Sequence, residues 1–435
     1  MKQIKTMIMT LLFGVLCFIS IPAVCQAEGQ GNRDWSVYEL MMQGDCGKTT
    51  KDDVHYAVYK VNEDSYILRI YGEGQMEGYI TRTSVENYYG HGPWVGPWYN
   101  WMTGFDKITE IVVEEGITHI GENALADMSN PELRVSLPST LKVIEWSGFA
   151  GCQAKTIDLP AGLQEIGSQA FQYSRMETIV LPEGLKQIGP AAFEDSGLKS
   201  IVIPDSVEEI SSFAFAGTKK LKQIQLNNTI QVISPYMFAS SGIEEITLPD
   251  CVTELGDNVF QNCKANLKIH WSKNLKTLGN QVFLSGKIVS MQIPDTVTKM
   301  GTAVFWDCRN LKTVVLSKNV KNIETATFKN CPSLKKVTFP KSIKKIDSYA
   351  FEGCTSLTSI TVPDSVTTIG KAAFSRCTKL TSIKLGKKIT KVNASAFQGC
   401  KALKTVKVPK KKYAAYKKLL KKPLAKLIKA KIKKY

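Results

Sequence analysis

The sequence predicts a repeat solenoid, mainly β, and three observations carry that expectation. Phenylalanine returns at 149, 171, 193, 215, 238, 260, 283, 305, 328, 351, 374 and 397, always 22 or 23 residues apart. Between these phenylalanines one phrase recurs. After Phe351 come Cys354, Leu357, Ile360, Val362, Pro363, Val366, Ile369 and Ala373, and Phe374 then opens the same phrase again. Cysteine stands three residues after the phenylalanine at 152, 263, 308, 331, 354, 377 and 400. A fixed period of this length marks stacked coils, each burying its apolar edge against its neighbours.

The phrase makes a coil for reasons of burial. Alternation turns Ile360 and Val362 inward and Ser359 and Thr361 outward, which is a short half-buried strand. Pro363 gives up a backbone donor and ends it. Val366 and Ile369 return along the other side, and Phe374 fills the core. Leu125 takes the phenylalanine slot once earlier, after Ile108, Ile111, Ile117 and Ile120. The 22-residue repeats place five residues from phenylalanine to the next anchor, as from Phe193 to Leu198. The 23-residue repeats mostly place six, as from Phe351 to Leu357. The extra residue is therefore expected in one turn, with the strands kept in register as one sheet. In the Phe260 coil Asn266 takes the leucine slot, Trp271 the aliphatic slot and Ser272 the proline slot. A local distortion is expected there, with His270 and Trp271 as an alternative binding spot.

Taken from the start, Lys2 and Lys5 precede an apolar run from Met7 to Val24, followed by Cys25-Gln26-Ala27. This pattern reads as a secretory signal peptide over residues 1–27, cleaved near Ala27, with a membrane anchor as the alternative. No later stretch is long and apolar enough to span a bilayer. The expected location is secreted or cell-surface. Residues 28–104 lack the repeat and read as a β-rich, aromatic N-terminal cap region. Val54 to Tyr59 and Tyr66 to Tyr71 read as two strands, the second ended by Gly72-Glu73-Gly74. Trp94, Trp98 and Trp101 lie in an aromatic stretch that seals the first coil or, alternatively, stacks on sugar rings. The solenoid is expected over 105–409 and a lysine-rich C-terminal cap over 410–435.

Several stretches resemble one known family. They are Gly44-Asp45-Cys46-Gly47, Leu68 to Met76 (LRIYGEGQM), Pro93-Trp94 and Gly116 to Gly121 (GITHIG), followed by the repeats themselves. Over roughly residues 44 to 420 the chain is similar to BspA-like leucine-rich repeat surface proteins. The resemblance implies a bacterial, exported, right-handed leucine-rich-repeat superhelix. It implies binding of proteins or host surfaces and no catalysis. Repeat architecture specifies the ligand only weakly.

The formal charge of +17 divides unevenly along the chain. Residues 28–304 have 22 Lys/Arg against 34 Asp/Glu, and residues 305–409 have 20 against 5. Residues 410–435 hold 12 lysines and no acid. Such a distribution steers polyanions to one end and says little about fold. Tyr413, Tyr416, Leu419 and Leu420 fit helical spacing. Pro423 interrupts, and Leu424, Leu427 and Ile428 resume it. A short amphipathic helix closing the last coil is expected. Its outer lysines Lys410, Lys411, Lys412, Lys417, Lys418, Lys421 and Lys422 are candidate contacts for anionic wall polymers, at about 1 kcal/mol each near a charged surface.

Neither metal nor cofactor is expected, and no enzyme. The seven cysteines in one slot read as buried free thiols rather than bridges or zinc ligands, and Cys46 and Cys251 lie off that ladder. A mostly reduced set in an exported protein suits an anaerobic habitat. His55, His91, His119 and His270 are far apart and lack a ligand or nucleophile pattern. The outward strand residues form the candidate ligand face: Thr313, Lys336, Thr338, Ser359, Thr361, Ser382, Lys384, Thr405 and Lys407. This surface suits proteins or glycoproteins of host or bacterial surfaces. The alternative is an envelope structural protein held to anionic wall polymers by the lysine-rich end. No specific nucleic acid is expected, since export argues against an intracellular role.

Overall fold

The computed structural model describes residues 33–78, 105–264, 267–425, 427 and 430–435. The chain forms two compact units, residues 1–37 and 38–435. In the first, the described residues hold one 3-10 turn, Trp35–Val37, with the Arg33 guanidinium over the Trp35 ring. All that follows concerns the second unit.

Three antiparallel strands open it: Glu39–Asp45, Asp53–Asn62 and Ser65–Gln75. The first was not expected from the sequence. The third does not stop at Gly72-Glu73-Gly74 but continues through it. Gly72 and Gly74 have φ of +110° and +117°, and a Cβ on Gly72 would lie 1.8 Å from the Asp53 carbonyl oxygen. Only glycine tolerates that backbone and that approach. The bend lets one strand serve two partners. Tyr66 to Ile70 pair in parallel with Ile108–Val113, and Gly74 and Gln75 pair with Ile117–Ile120. The meander thus merges into the coils and supplies the first strand of both their edges.

From the Phe193 coil to the Phe374 coil each coil has three parts, and the Phe149 and Phe171 coils lack the first of them. A three-residue strand such as Ser359–Thr361 forms one edge, and a two-residue strand such as Thr368–Ile369 forms a second. The third is a tight arc around the phenylalanine. In this arc, from Phe149 to Phe374, the residues two before and two after the phenylalanine take left-handed backbone, as Ser147 and Gly151 do about Phe149, and Tyr349 and Gly353 about Phe351. That alternation points every second N–H at the next coil. Ser147, Phe149 and Gly151 donate to the carbonyls of Ser168, Ala170 and Gln172, and the pattern repeats along the stack.

The phenylalanines fill the centre. All eleven neighbouring pairs from Phe149 to Phe397 are stacked, with ring centroids 5.1–6.0 Å apart. The rings are fully buried, as is Leu125 in the same slot. The cysteine ladder lies beside them. Cys308, Cys331, Cys354, Cys377 and Cys400 each donate an S–H to the carbonyl of the preceding coil's phenylalanine, at 2.9–3.1 Å. All nine described cysteines are free thiols. Burial pushes Cys263, Cys308 and Cys354 up to about 12. Alkylation of the folded protein at pH 8 should therefore spare Cys354, and half-buried Cys251 should react before it. Unfolding in denaturant without reductant should release all nine. Mass spectrometry of labelled peptides checks this, and labelling of Cys354 in the folded state would contradict the packing.

The wide edge is not one continuous sheet, as the sequence led us to expect. Its strands form separate ladders: Ser200–Val202 with Gln223–Gln225, Glu245–Thr247 with Lys268–His270, Ser290–Gln292 through Thr313–Val315 to Lys336–Thr338, and Ser359–Thr361 onward. A ladder joins a coil to its successor where the successor has the long turn between phenylalanine and anchor. It lapses where the successor has the short turn of five residues, as at Phe238 to Ile243 and Phe283 to Ile288. The shorter turn holds the strand out of hydrogen-bonding line with the one before it. Where ladders do form, the register is kept, with Ser200 opposite Gln223 and Thr313 opposite Lys336. One break has a different cause. Phe339 occupies the aliphatic slot, packs edge-on against Phe351 at 5.9 Å and 71°, and leaves Val337 half-buried. The strand Lys336–Thr338 then fails to pair with Ser359–Thr361.

The Phe260 coil is less distorted than expected. Leu267, not Asn266, fills the anchor slot and is buried; Asn266 lies outside the described residues. Trp271 packs half-buried against the core. Ser272 compensates for the missing proline by donating its hydroxyl to the Val252 carbonyl at 2.6 Å, and Ser317 does the same to Val297.

The C-terminal end departs most from expectation. Helix α1, Tyr413–Leu420, is present, with Tyr416 and Leu420 buried. Beyond Pro423 no further helix is found among the described residues. Leu424 and Leu427 pack in a turn segment, and Ile428 lies outside the described residues. Residues Lys431–Lys434 form a terminal strand, parallel to Thr405–Val408. Pro423 cannot donate within a helix, and the last coil has an open edge whose backbone groups need partners. Lys431 N–H donates to the Lys404 carbonyl, and Tyr435 N–H to that of Val408.

Candidate ligand face

Most of the proposed face is outward. Thr313, Lys336, Thr338, Ser359, Thr361 and Lys407 are exposed, and Ser382, Lys384 and Thr405 are half-buried. Between them Val314, Ile360, Ile383 and Val406 point into the core. Alternation alone produces this arrangement, because successive side chains of a strand leave opposite faces. The face is divided, however. Thr313 lies opposite Lys336 in one ladder. Ser359, Ser382 and Thr405 line up in another, as do Thr361, Lys384 and Lys407. The Phe339 break separates the two groups.

Charge is handled differently along the stack. In the acidic coils, carboxylates find lysines in a neighbouring coil. Lys186 meets Glu208 at 3.2 Å, Lys199 meets Glu177 at 2.7 Å, and Lys273 meets Asp250 at 3.1 Å. The same device recurs toward the basic end, where Lys318 meets Asp295 at 2.9 Å, Lys329 meets Glu352 at 3.5 Å, and a hydrogen bond from Lys387 at 2.7 Å holds the Asp364 carboxyl below its usual range. Beyond it, acids run out. Among the described residues no carboxylate lies within ion-pair distance of Lys384, Lys407, Lys431 or Lys433. The same holds for Lys410, Lys411, Lys412, Lys417, Lys418, Lys421 and Lys422, all of them exposed. Trp94, Trp98 and Trp101 lie outside the described residues.

The terminal strand adds residues that sequence reasoning missed. Thr405 stands opposite Lys431, Lys407 opposite Lys433, and Val408 opposite Lys434. Two aromatic rings hold lysines nearby: Lys384 lies over Tyr435 at 4.1 Å, and Lys434 over Tyr413 at 4.9 Å. The signal was present in Lys431-Ile432-Lys433, which alternates as Thr405-Val406-Lys407 does. The neighbouring lysines and the helical spacing before them obscured it.

The other candidate spots remain ordinary. His270 meets Glu245 at 2.5 Å on the strand row, and Glu245 also holds Lys268 at 2.7 Å. His55 bridges Asp45 and Asp53 at 2.7 and 2.8 Å, and the Asp45 hydrogen bond raises its pKa. Among the described residues no cluster of His, Cys, Asp or Glu is arranged to hold a metal ion. None of their helices is long and apolar enough to cross a membrane.

A stack of short parallel strands, a phenylalanine column and an exposed polar strand row define a leucine-rich-repeat solenoid. The sequence matches the BspA type leucine rich repeat region in six copies, over residues 102–212, 186–312 and 298–422. The chain belongs to this family. It is similar to a leucine-rich repeat protein from Bacteroides ovatus, with 26% identity, 87% of this chain and 98% of that one covered, and a TM-score of 0.57. It is likewise similar to one from Eubacterium ventriosum, with 25% identity, 82% and 95% covered, and a TM-score of 0.55. Among proteins of curated function none matches.

Proposed function

We propose that the chain is an exported, non-enzymatic binding module for proteins or glycoproteins of host or bacterial surfaces, and that the strand row is its contact surface. The observation that carries this reading is the row itself. Its hydroxyl and ammonium groups are presented in register on a core stacked ring on ring, so they bind without first being ordered. Family membership supports a surface location, and the apolar leader with Ala27 supports export. The test is binding of the intact protein to matrix proteins, mucins and purified cell wall. Thr313→Asp combined with Thr361→Asp should weaken binding to the partner it retains by about tenfold or more. Lys186→Asp combined with Lys273→Asp, a larger change of charge on the acidic coils, should leave binding near its original level. Equal loss in both would overturn the face assignment, and retention by none of the surfaces would overturn the module.

A second reading has its own observation. The seven exposed lysines from Lys410 to Lys422 lack carboxylate partners among the described residues, which supports a structural protein held to anionic wall polymers. In that case wall binding survives the two aspartate substitutions and is released by salt.

A further inference from the structure

The terminal strand changes what the basic end presents. Parallel pairing places Lys384, Lys407 and Lys433 directly opposite one another on three adjacent strands. Neighbouring strands are about 4.8 Å apart. Thr361 precedes them in the same row and Lys431 stands beside them, opposite Thr405. Like charges placed directly across a strand pair oppose the pairing. Elsewhere on the stack, facing charges are matched, as Lys268 is by Glu245. Here three ammonium groups share one row with no carboxylate within ion-pair distance among the described residues. The row runs across the strands, from coil to coil, and is one residue wide.

We propose that this row is a binding track for a linear polyanion, a polymer bearing sulfate or phosphate groups, laid across the strands of the last coils. The proposal rests on the binding-module reading and names a ligand class for one part of the face. A single file of cations at strand spacing matches a chain of anions better than it matches a plane of charge. Lysine suits such a ligand, because its flexible stem lets a point charge follow anions whose spacing differs from that of the strands. The track begins after the Phe339 break and includes the terminal strand, and Tyr435 reaches back to lie under the Lys384 ammonium and donate to the Leu385 carbonyl. The mutual repulsion that burdens the free protein is relieved when the polymer binds.

The experiment uses the intact protein with three probes: heparin, inorganic polyphosphate, and phosphatidylglycerol vesicles. The variant K384Q/K407Q/K433Q is compared with K417Q/K418Q/K421Q, which removes the same charge from the helical cap. The track variant should bind the preferred polymer about tenfold or more weakly. It should also lower the slope of log K against log salt by about three, one for each lysine. The cap variant should change affinity less than about threefold. Thermal unfolding gives an independent readout. Without polymer the track variant should melt above the native protein, and polymer should stabilise the native protein but not the variant. Preference for heparin identifies sulfated glycans as the source, and preference for polyphosphate identifies phosphate-bearing wall polymers. Equal loss in both variants, binding to vesicles alone, or no binding to any probe would overturn the track. If the track fails while a surface protein still depends on Thr313 and Thr361, the module reading stands without it.

Discussion

Phe351→Ala is expected to destabilise the stack by about 3–5 kcal/mol. Its ring lies between Phe328 at 5.1 Å and Phe374 at 5.2 Å, with Phe339 against its edge. Truncation removes contacts on three sides and leaves a cavity that the backbone cannot close, because the arc is fixed by hydrogen bonds to both neighbouring coils. On one side Phe351 N–H donates to the Ala373 carbonyl and its own carbonyl accepts the Cys377 thiol; on the other the Ala350 carbonyl accepts from Phe328 N–H and the Cys354 thiol donates to the Phe328 carbonyl. Each coil contacts only its neighbours, so the loss should weaken the coupling of the two sides as well as lower the midpoint. Denaturant unfolding followed by hydrogen exchange would show this as earlier opening of residues 328–374. A change below about 1 kcal/mol would mean that the column is not the main source of cohesion.

Tyr416→Ala should be comparably damaging, at about 3–5 kcal/mol for a buried aromatic. Helix α1 delivers this one ring to the end of the stack, where it is 2% exposed. Its hydroxyl donates to the Gly386 carbonyl at 2.6 Å and accepts from the Ile389 N–H at 3.1 Å. Those two backbone groups belong to a coil whose successor is the last one, and the tyrosine supplies partners that a further coil would otherwise provide. Tyr416→Phe isolates the polar part and should cost about 1–3 kcal/mol, since both groups are left buried and unpaired. In the alanine variant the terminal strand should detach, and amide exchange at Thr405 to Val408 should rise first. If exchange there is unchanged, the terminal strand is held by its own ladder and the helix is dispensable.

Much of this was legible in the sequence because the period does the reading. Phe351, Cys354 and Ile360 recur in fixed slots, so one coil predicts the burial of all. Thr361, Lys384 and Lys407 were recognised as outward for the same reason. What failed was whatever depends on two coils at once. The ladders lapse before Glu245 and Ser290 because the turn of the next coil is one residue short, and before Ser359 because Phe339 is too large for its slot. No single line of the repeat contains that information. The terminal strand was missed because its partner lies across a helix and a turn, and because lysine content masked the alternation around Ile432. At Gly72 and Gly74 a turn signal marked a bend within a strand, since glycine serves both purposes equally well.

The rule of turn length has a consequence for how such a chain diversifies. Duplication of a long-turn coil, such as 351–373, adds one strand to a continuous surface without disturbing any pairing beside it. Duplication of a short-turn coil, such as 283–304, adds a coil and ends a surface at the same time. A single codon gained or lost between phenylalanine and anchor therefore decides whether two stretches of coil offer one long recognition surface or two short ones. The inventory of surfaces can change in this way while every core residue keeps its identity.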